Sequence, residues 1–227
     1  MDNARTEKLA QRRAAGAALV AGPVIFFVAE FIAAAAWTDP PYSYTFHFIS
    51  DLGVKGPSTL FGQYMQSPLY WVMNLGFFLF GLVILAGVVL LRGLSGWRRF
   101  AVVTAAIVLA VGGILLAVFP GSGEALEDGT GEFHSLGAFA GFLSANVLAI
   151  MLGAMRRRIE LSRALGRTLV AAGVIGLLST VLYLAAIFSS GDTIIGIVGL
   201  IERGAVYPFL IGTICLGVAS WRRRRIQ

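Results

Sequence analysis

Residues 100–119 read FAVVTAAIVLAVGGILLAVF, twenty consecutive residues without a charge. About 20 apolar residues carry a helix across a hydrocarbon core of about 30 Å. Arg98-Arg99 precede the run and Pro120-Gly121 end it. Five more runs of the same kind lie at about 16–37, 70–91, 134–154, 166–188 and 198–219. The cuts between them are Thr38-Asp39-Pro40-Pro41, Arg92-Gly93, Arg156-Arg157-Arg158 and Ser190-Gly191-Asp192. In lipid the backbone must bond to itself, so the runs are helices. They lack the alternating polarity of barrel strands. The predicted fold class is all-α: a polytopic membrane protein built as a bundle of six transmembrane helices.

Composition supports this. Of 227 residues, 57% are hydrophobic and 13% charged, and the mean hydropathy is +0.81. A soluble domain carries about twice that charged fraction. Disorder, a coiled coil and a disulfide-rich secreted fold are excluded. One cysteine, Cys215, allows no intramolecular disulfide and no cysteine-based metal site.

The net charge of +6 reads as topology rather than as a nucleic-acid surface, because of where the charges fall. Sixteen of the 18 lysines and arginines lie in the N-terminal tail, the second-to-third and fourth-to-fifth connections, and the C-terminal tail. Lys55 and Arg203 fall on the other side. The positive-inside rule then puts both termini in the cytoplasm, in the plasma (inner) membrane, with weak attraction to anionic lipid as a side effect. The expected layout is a tail at 1–13, one six-helix domain at 14–220 and a basic tail at 221–227. The first span is expected to be retained rather than cleaved, since its apolar run is long and contains Glu30. Outer loops are expected at about 38–69, 120–133 and 189–197. The 28 glycines suit close helix packing.

Ionisable residues within spans are costly and mark function by default. Glu30, His134, Glu202 and Arg203 all fall near the outer interface when depth is counted at about 1.5 Å per residue. His47 and Asp51, in the first outer loop, reach the same level. On the fourth helix Gly137, Gly141 and Ser144 share a face with His134, which should therefore turn toward the bundle. If Phe46–Gly53 is helical, His47 and Asp51 are one turn apart and can share a proton, with Gly53 as C-cap and Pro57 beyond. Ser50 is a candidate nucleophile without the usual elbow motif around it.

Glu202 and Arg203 point about 100° apart and each needs its own partner. Glu30 suits Arg203, and His134 or His47 suits Glu202. Such a pair is either a buried latch between the first and last helices or a grip on an anionic headgroup. Pro208, one turn on, should kink the last helix and open a cavity. The candidate catalytic residues are His47, Asp51 and His134. The candidate substrate-binding residues are Arg203, Glu202, Glu30 and Ser50. Two histidines with a carboxylate could hold zinc, with His47, Asp51, His134 and Glu202 as candidate ligands. Haem is disfavoured because His47 lies in a loop.

The stretch Phe48-Ile49-Ser50-Asp51-Leu52-Gly53, with Phe119-Pro120, His134, Gly199-Leu200-Ile201-Glu202-Arg203 and Tyr207-Pro208 in that order, resembles the domain-of-unknown-function 998 family of six-span bacterial and archaeal membrane proteins. The similarity runs from about residue 14 to 220. Two segments depart from the family pattern, Gly62–Leu69 in the first outer loop and the acidic Gly121–Glu132. More remotely, Ile49 to Gly53 followed by Pro57 is similar to eukaryotic six-span proteins of autophagy modulation and lipid-anchor remodelling, which implies a lipid-related role on a non-cytoplasmic face.

The residues thus lead to an outward-facing polar site acting on a lipid-like amphipathic substrate. The alternative is a non-catalytic lipid-binding or assembly protein whose polar residues are latches. Membrane lipids are the expected partners, a small amphipathic ligand fits, nucleic acid does not, and no protein partner is indicated. A transporter is disfavoured, because no ionisable residue lies at mid-span.

Overall fold

The computed structural model describes residues 2–188 and 196–222. The expected turn Ser190-Gly191-Asp192 and the basic residues Arg223–Arg225 lie outside them. Among the described residues there are seven α-helices: α1 (Asp2–Ala36), α2 (Tyr70–Leu90), α3 (Gly96–Val118), α4 (Gly123–Glu127), α5 (Gly131–Ala154), α6 (Arg163–Phe188) and α7 (Val198–Arg222). All but α4 are long and apolar enough to cross a membrane. The protein is thus a six-span, all-α membrane protein. The helix α1 begins well before its apolar run, because residues 2–13 contain neither glycine nor proline to stop it.

The six long helices form a closed ring. Each packs against its chain neighbour, and α7 returns to α1. Short connections at the arginine-rich end make these neighbours antiparallel. Glycines let the backbones close up. A Cβ on Gly16 of α1 would lie 2.7 Å from the Gly217 carbonyl oxygen of α7, and one on Gly112 of α3 would lie 2.8 Å from that of Gly137 on α5. The outer surface is apolar: Val28, Phe31, Ile107, Val111, Leu178 and Leu182 are exposed there.

The opposite, loop end is capped by residues 37–69, which do not simply fold over the bundle. They re-enter it. Ile49 and Leu52 are 1% and 0% exposed. This part is a 3-10 turn, Ser50–Gly53, rather than the longer helix expected. Gly53 is followed by extended Val54 instead of a left-handed cap. Its small size serves a different need: the Asn74 side chain packs on its α-carbon and donates to its carbonyl at 3.1 Å.

A hairpin follows, β1 (Ser58–Leu60) with β2 (Gln63–Met65), antiparallel with Thr59 opposite Tyr64. Its two-residue turn places Phe61 and Gly62 both at positive φ, 51° and 74°, as a hairpin turn of the primed type requires. Ser58 Oγ donates to Glu124 Oε2 at 2.7 Å and accepts from the Gly123 amide at 2.9 Å. The hairpin and α4 are therefore tied into one roof.

Candidate functional site

Two polar clusters lie at the loop end. The first is centred on Arg203 of α7. Its Nη2 lies 3.0 Å from Glu30 Oε1 of α1, with both side chains buried. Nε donates to the same oxygen at 3.2 Å, and Nη2 also donates to the Tyr42 hydroxyl at 2.6 Å. Nη1 faces the carbonyls of Tyr44 at 2.7 Å, Gly199 at 2.9 Å and His47 at 3.2 Å. A guanidinium has five N–H donors, and protein acceptors surround all of them. Tyr207 donates to Glu30 Oε1 at 2.8 Å. The Tyr44 ring lies 4.8 Å from the guanidinium carbon. The expected Glu30–Arg203 pair is present, and no N–H of Arg203 is left over for a headgroup.

His47 belongs to this cluster's wall. Its Nδ1 accepts from the Ser43 amide at 2.9 Å, and its ring stacks on Tyr42 at 5.3 Å and packs on Trp37 at 5.1 Å. Burial first, then the Arg203 charge, pushes its pKa below the ordinary histidine value. The expected His47–Asp51 proton-sharing pair does not form, because the chain between them is not a continuous helix and Nδ1 of His47 is taken by the Ser43 amide.

The second cluster holds the entrance of the 3-10 turn. Asp51 Oδ2 accepts from the Phe48 amide at 2.9 Å. Glu202 Oε2 accepts from the Ile49 amide at 2.5 Å. Amides opening a turn lack backbone acceptors, and here two carboxylates supply them. Glu202 was expected to pair with His134 or His47; the re-entrant loop brings a backbone donor to it first. Asp51 is almost fully buried. Burial, and then the neighbouring charge of Glu202, hold its carboxyl well above the usual carboxylate range, outweighing the Phe48 amide and Arg203.

A cavity of ≈ 290 Å³ opens beside Asp51, under the roof of β1, β2 and α4. Ser50, Asp51, His134 and Tyr183 give it polar groups; Phe139, Leu184, Ile187 and Phe188 give it an apolar wall between α5 and α6. His134 Nδ1 lies 2.8 Å from the Phe119 carbonyl. A carbonyl only accepts, so Nδ1 carries the proton and Nε2 is the basic nitrogen. A smaller cavity of ≈ 40 Å³ lies inside the ring, lined by Glu202 and Ser50 among Phe26, Phe77, Phe80 and Phe209. That is room for a few waters. Ser50, Ala138 and Phe142 line both spaces. Gly141 packs on α3 as expected, since a Cβ on Gly112 would lie 2.9 Å from its nitrogen, while its own Cβ direction opens onto the inner space with nothing within 4 Å.

The two histidines therefore stand on different walls, one beside α1 and α7, the other beside α3 and α5. Among the described residues no group of three or more His, Cys, Asp or Glu side chains is placed to hold a metal. The candidate zinc set His47, Asp51, His134 and Glu202 is not a donor set in this fold. Cys215 is exposed on the bundle surface.

Tyr42 and Asn146 were not singled out from the sequence, and Tyr207 only within the family pattern. Tyr42 completes the shell of Arg203, and Tyr207 adds a third donor to Glu30 Oε1, while Oε2 has no hydrogen-bond partner among the described residues. Asn146 at mid-span donates from Nδ2 to the carbonyls of Phe142 and Ala205, both at 2.8 Å. A lone asparagine in an apolar run was a readable signal; a search limited to ionisable groups passes over it.

Residues 20–219 match the sequence model of a family described as a protein of unknown function, DUF998. No curated protein and no solved structure matches the chain.

Proposed function

The chain belongs to the DUF998 family, and from that premise we propose that this integral membrane protein takes a lipid-like amphiphile into the cavity between α5, α6 and the roof, and hydrolyses or otherwise modifies its polar end. The loop end then faces the outer leaflet of the plasma membrane, with both termini in the cytoplasm, as the distribution of lysine and arginine directs.

One observation carries this reading. Asp51, Ser50 and His134 line the same space as Phe139, Leu184, Ile187 and Phe188. Ligand sites combine a mostly apolar lining with a few convergent polar groups. Roles follow from the two chemical states. Asp51, whose burial favours the neutral carboxyl, takes the part of general acid toward a leaving oxygen. His134 Nε2 is the general base toward water or toward Ser50. Ser50, at the junction of the two cavities, is placed to meet the substrate's polar end.

A second reading has its own support. Every N–H of Arg203 is engaged by protein, so Glu30, Arg203, Tyr42 and Tyr207 act as a latch joining α1, α7 and the re-entrant loop. The two readings divide the residues between them. Arg203 leaves the expected binding set, Glu30 keeps one oxygen without a hydrogen-bond partner among the described residues, and Asp51 and His134 remain at the centre of the chemistry.

The test uses the full-length protein in detergent, incubated with vesicles of mixed bacterial phospholipids, with lipids and products followed by mass spectrometry. Turnover in the parent, lost in Asp51→Asn and in His134→Gln while lipid is still retained, supports the acid–base assignment. Retained lipid without turnover in the parent leaves the binder alone. Absence of any retained lipid removes the amphiphile reading.

A further inference from the structure

At the opposite, arginine-rich end a cavity of ≈ 260 Å³ is lined by Lys8 and Arg12 of α1, Arg92 just after α2, and Arg158 in the connection between α5 and α6. Ser220 of α7 and the apolar side chains of Leu9, Leu90 and Ile159 share the lining. Four cations from three distant chain segments thus converge on one concavity. Among the described residues one carboxylate, Glu160, shares the lining and meets Arg12 at 3.4 Å. Arg92 donates at 2.7 Å to the neutral Gln11 side chain.

Membrane orientation asks only that basic residues lie on one side; it does not ask them to face one another. Other arginines at this end are occupied separately. Arg99 donates to the carbonyls of Val89 and Leu91 at 3.0 and 3.2 Å. Arg98 lies over the Trp97 ring at 5.2 Å. The Arg99 contacts also cover the carbonyl end of α2, whose partial negative charge would otherwise oppose an anion beside Leu90. Arg12 is shared with Glu160 and Arg92 with Gln11, yet the four lining cations still outnumber the lining carboxylate, an excess of charge that a multivalent anion relieves.

We propose that this cavity binds a phosphoryl group, the charged head of an anionic phospholipid or a free phosphate ester. Arginine forks and a lysine match phosphoryl oxygens, and basic pockets between membrane helices hold lipid head groups by the same chemistry. The apolar part of the lining accepts the first carbons beyond the phosphate. This site is separate from the Asp51–His134 cavity and does not depend on what that cavity does.

The experiment titrates the full-length protein in detergent with dioleoyl phosphatidylglycerol and with dioleoyl phosphatidylcholine under native mass spectrometry, and with inorganic phosphate in a thermal-shift assay. Three proteins are compared: the parent, R92Q/R158Q, and R157Q/R163Q, which removes the same charge from exposed positions off the lining. The proposal expects the parent and R157Q/R163Q to favour phosphatidylglycerol, and R92Q/R158Q to lose roughly tenfold in that affinity. Lipid preference without a phosphate shift identifies a headgroup; a phosphate shift without lipid preference identifies a free phosphate ester. If R92Q/R158Q does not fold, K8Q read in the same titrations decides. Equal loss in both double variants, or no difference between the parent and the lining variant for either probe, overturns the proposal.

Discussion

The two polar clusters at the loop end sit side by side and have opposite characters. Around Arg203, each donor has a protein acceptor, the rings of Tyr42, Tyr44 and His47 close the space, and the cluster joins three chain segments. Around Asp51, the carboxyl faces a cavity shared with His134, and an apolar wall continues from it. An ionisable residue inside a membrane bundle is equally expensive in both places. What separates structure from chemistry is saturation. A fully bonded charge has nothing left to offer a ligand, whereas a partly bonded one beside a cavity does.

The sharpest way to break this contrast is at the latch. Arg203→Ala leaves Glu30 buried and unpaired, and removing one partner of a buried pair costs about 3–5 kcal/mol. Loss of the folded detergent-solubilised protein, or a large fall in Tm, is expected. An Arg203→Ala variant that melts like the parent but releases a bound lipid would reverse the assignment of the two clusters.

Next in size is Asn146→Ala, which removes the α5 to α7 hydrogen bond at mid-span. Interhelical hydrogen bonds in membranes average about 0.6 kcal/mol and reach about 1.7, so a measurable but modest fall in unfolding free energy is expected. A loss as large as that of Arg203→Ala would mean that the latch extends to the middle of the bundle.

Titration sharpens the contrast further. Asp51 has a folded-state pKa above its ordinary value of 3.8. Between these two values the unfolded chain has lost the proton and the folded one keeps it, so stability falls as pH rises through that window. Asp51→Asn should remove this slope and be nearly neutral in Tm on the acid side. His47 has the opposite sign. Its folded pKa lies below the ordinary 6.5, so the unfolded chain binds the proton first and stability falls as pH drops below that value. His47→Gln should flatten the acid limb. Because the two slopes oppose each other where the windows overlap, each is read as the Tm difference between the parent and its variant against pH; a difference that stays constant with pH refutes that variant's assignment.

The smallest expected effect lies at Gly141. A Cβ there meets open space, and glycine in a helix interior costs roughly 0.5–1 kcal/mol relative to alanine. Gly141→Ala should raise Tm slightly. If it lowers lipid turnover at the same time, the inner cavity belongs to the site.

Much of this architecture was legible in local sequence. Six apolar runs, their charged cuts and the placement of arginine are one-dimensional signals, because crossing a hydrocarbon core depends on length and polarity alone. The pairing of Glu30 with Arg203 was also legible, since two opposite charges at one depth have few alternatives. The partners of His47 and Glu202 were not. They depend on where residues 37–69 re-enter the ring, and an outer loop at 38–69 read from sequence contains no such dip.

A six-helix membrane protein, its family and a set of costly polar residues near one end follow from the chain read in one dimension. Which of those residues bind one another and which face a cavity depends on the folded bundle. Hydropathy acts residue by residue along the chain. A hydrogen bond, by contrast, is satisfied by whichever donor arrives, and the closing of α7 on α1 together with the 3-10 turn beneath the roof brings those donors into reach.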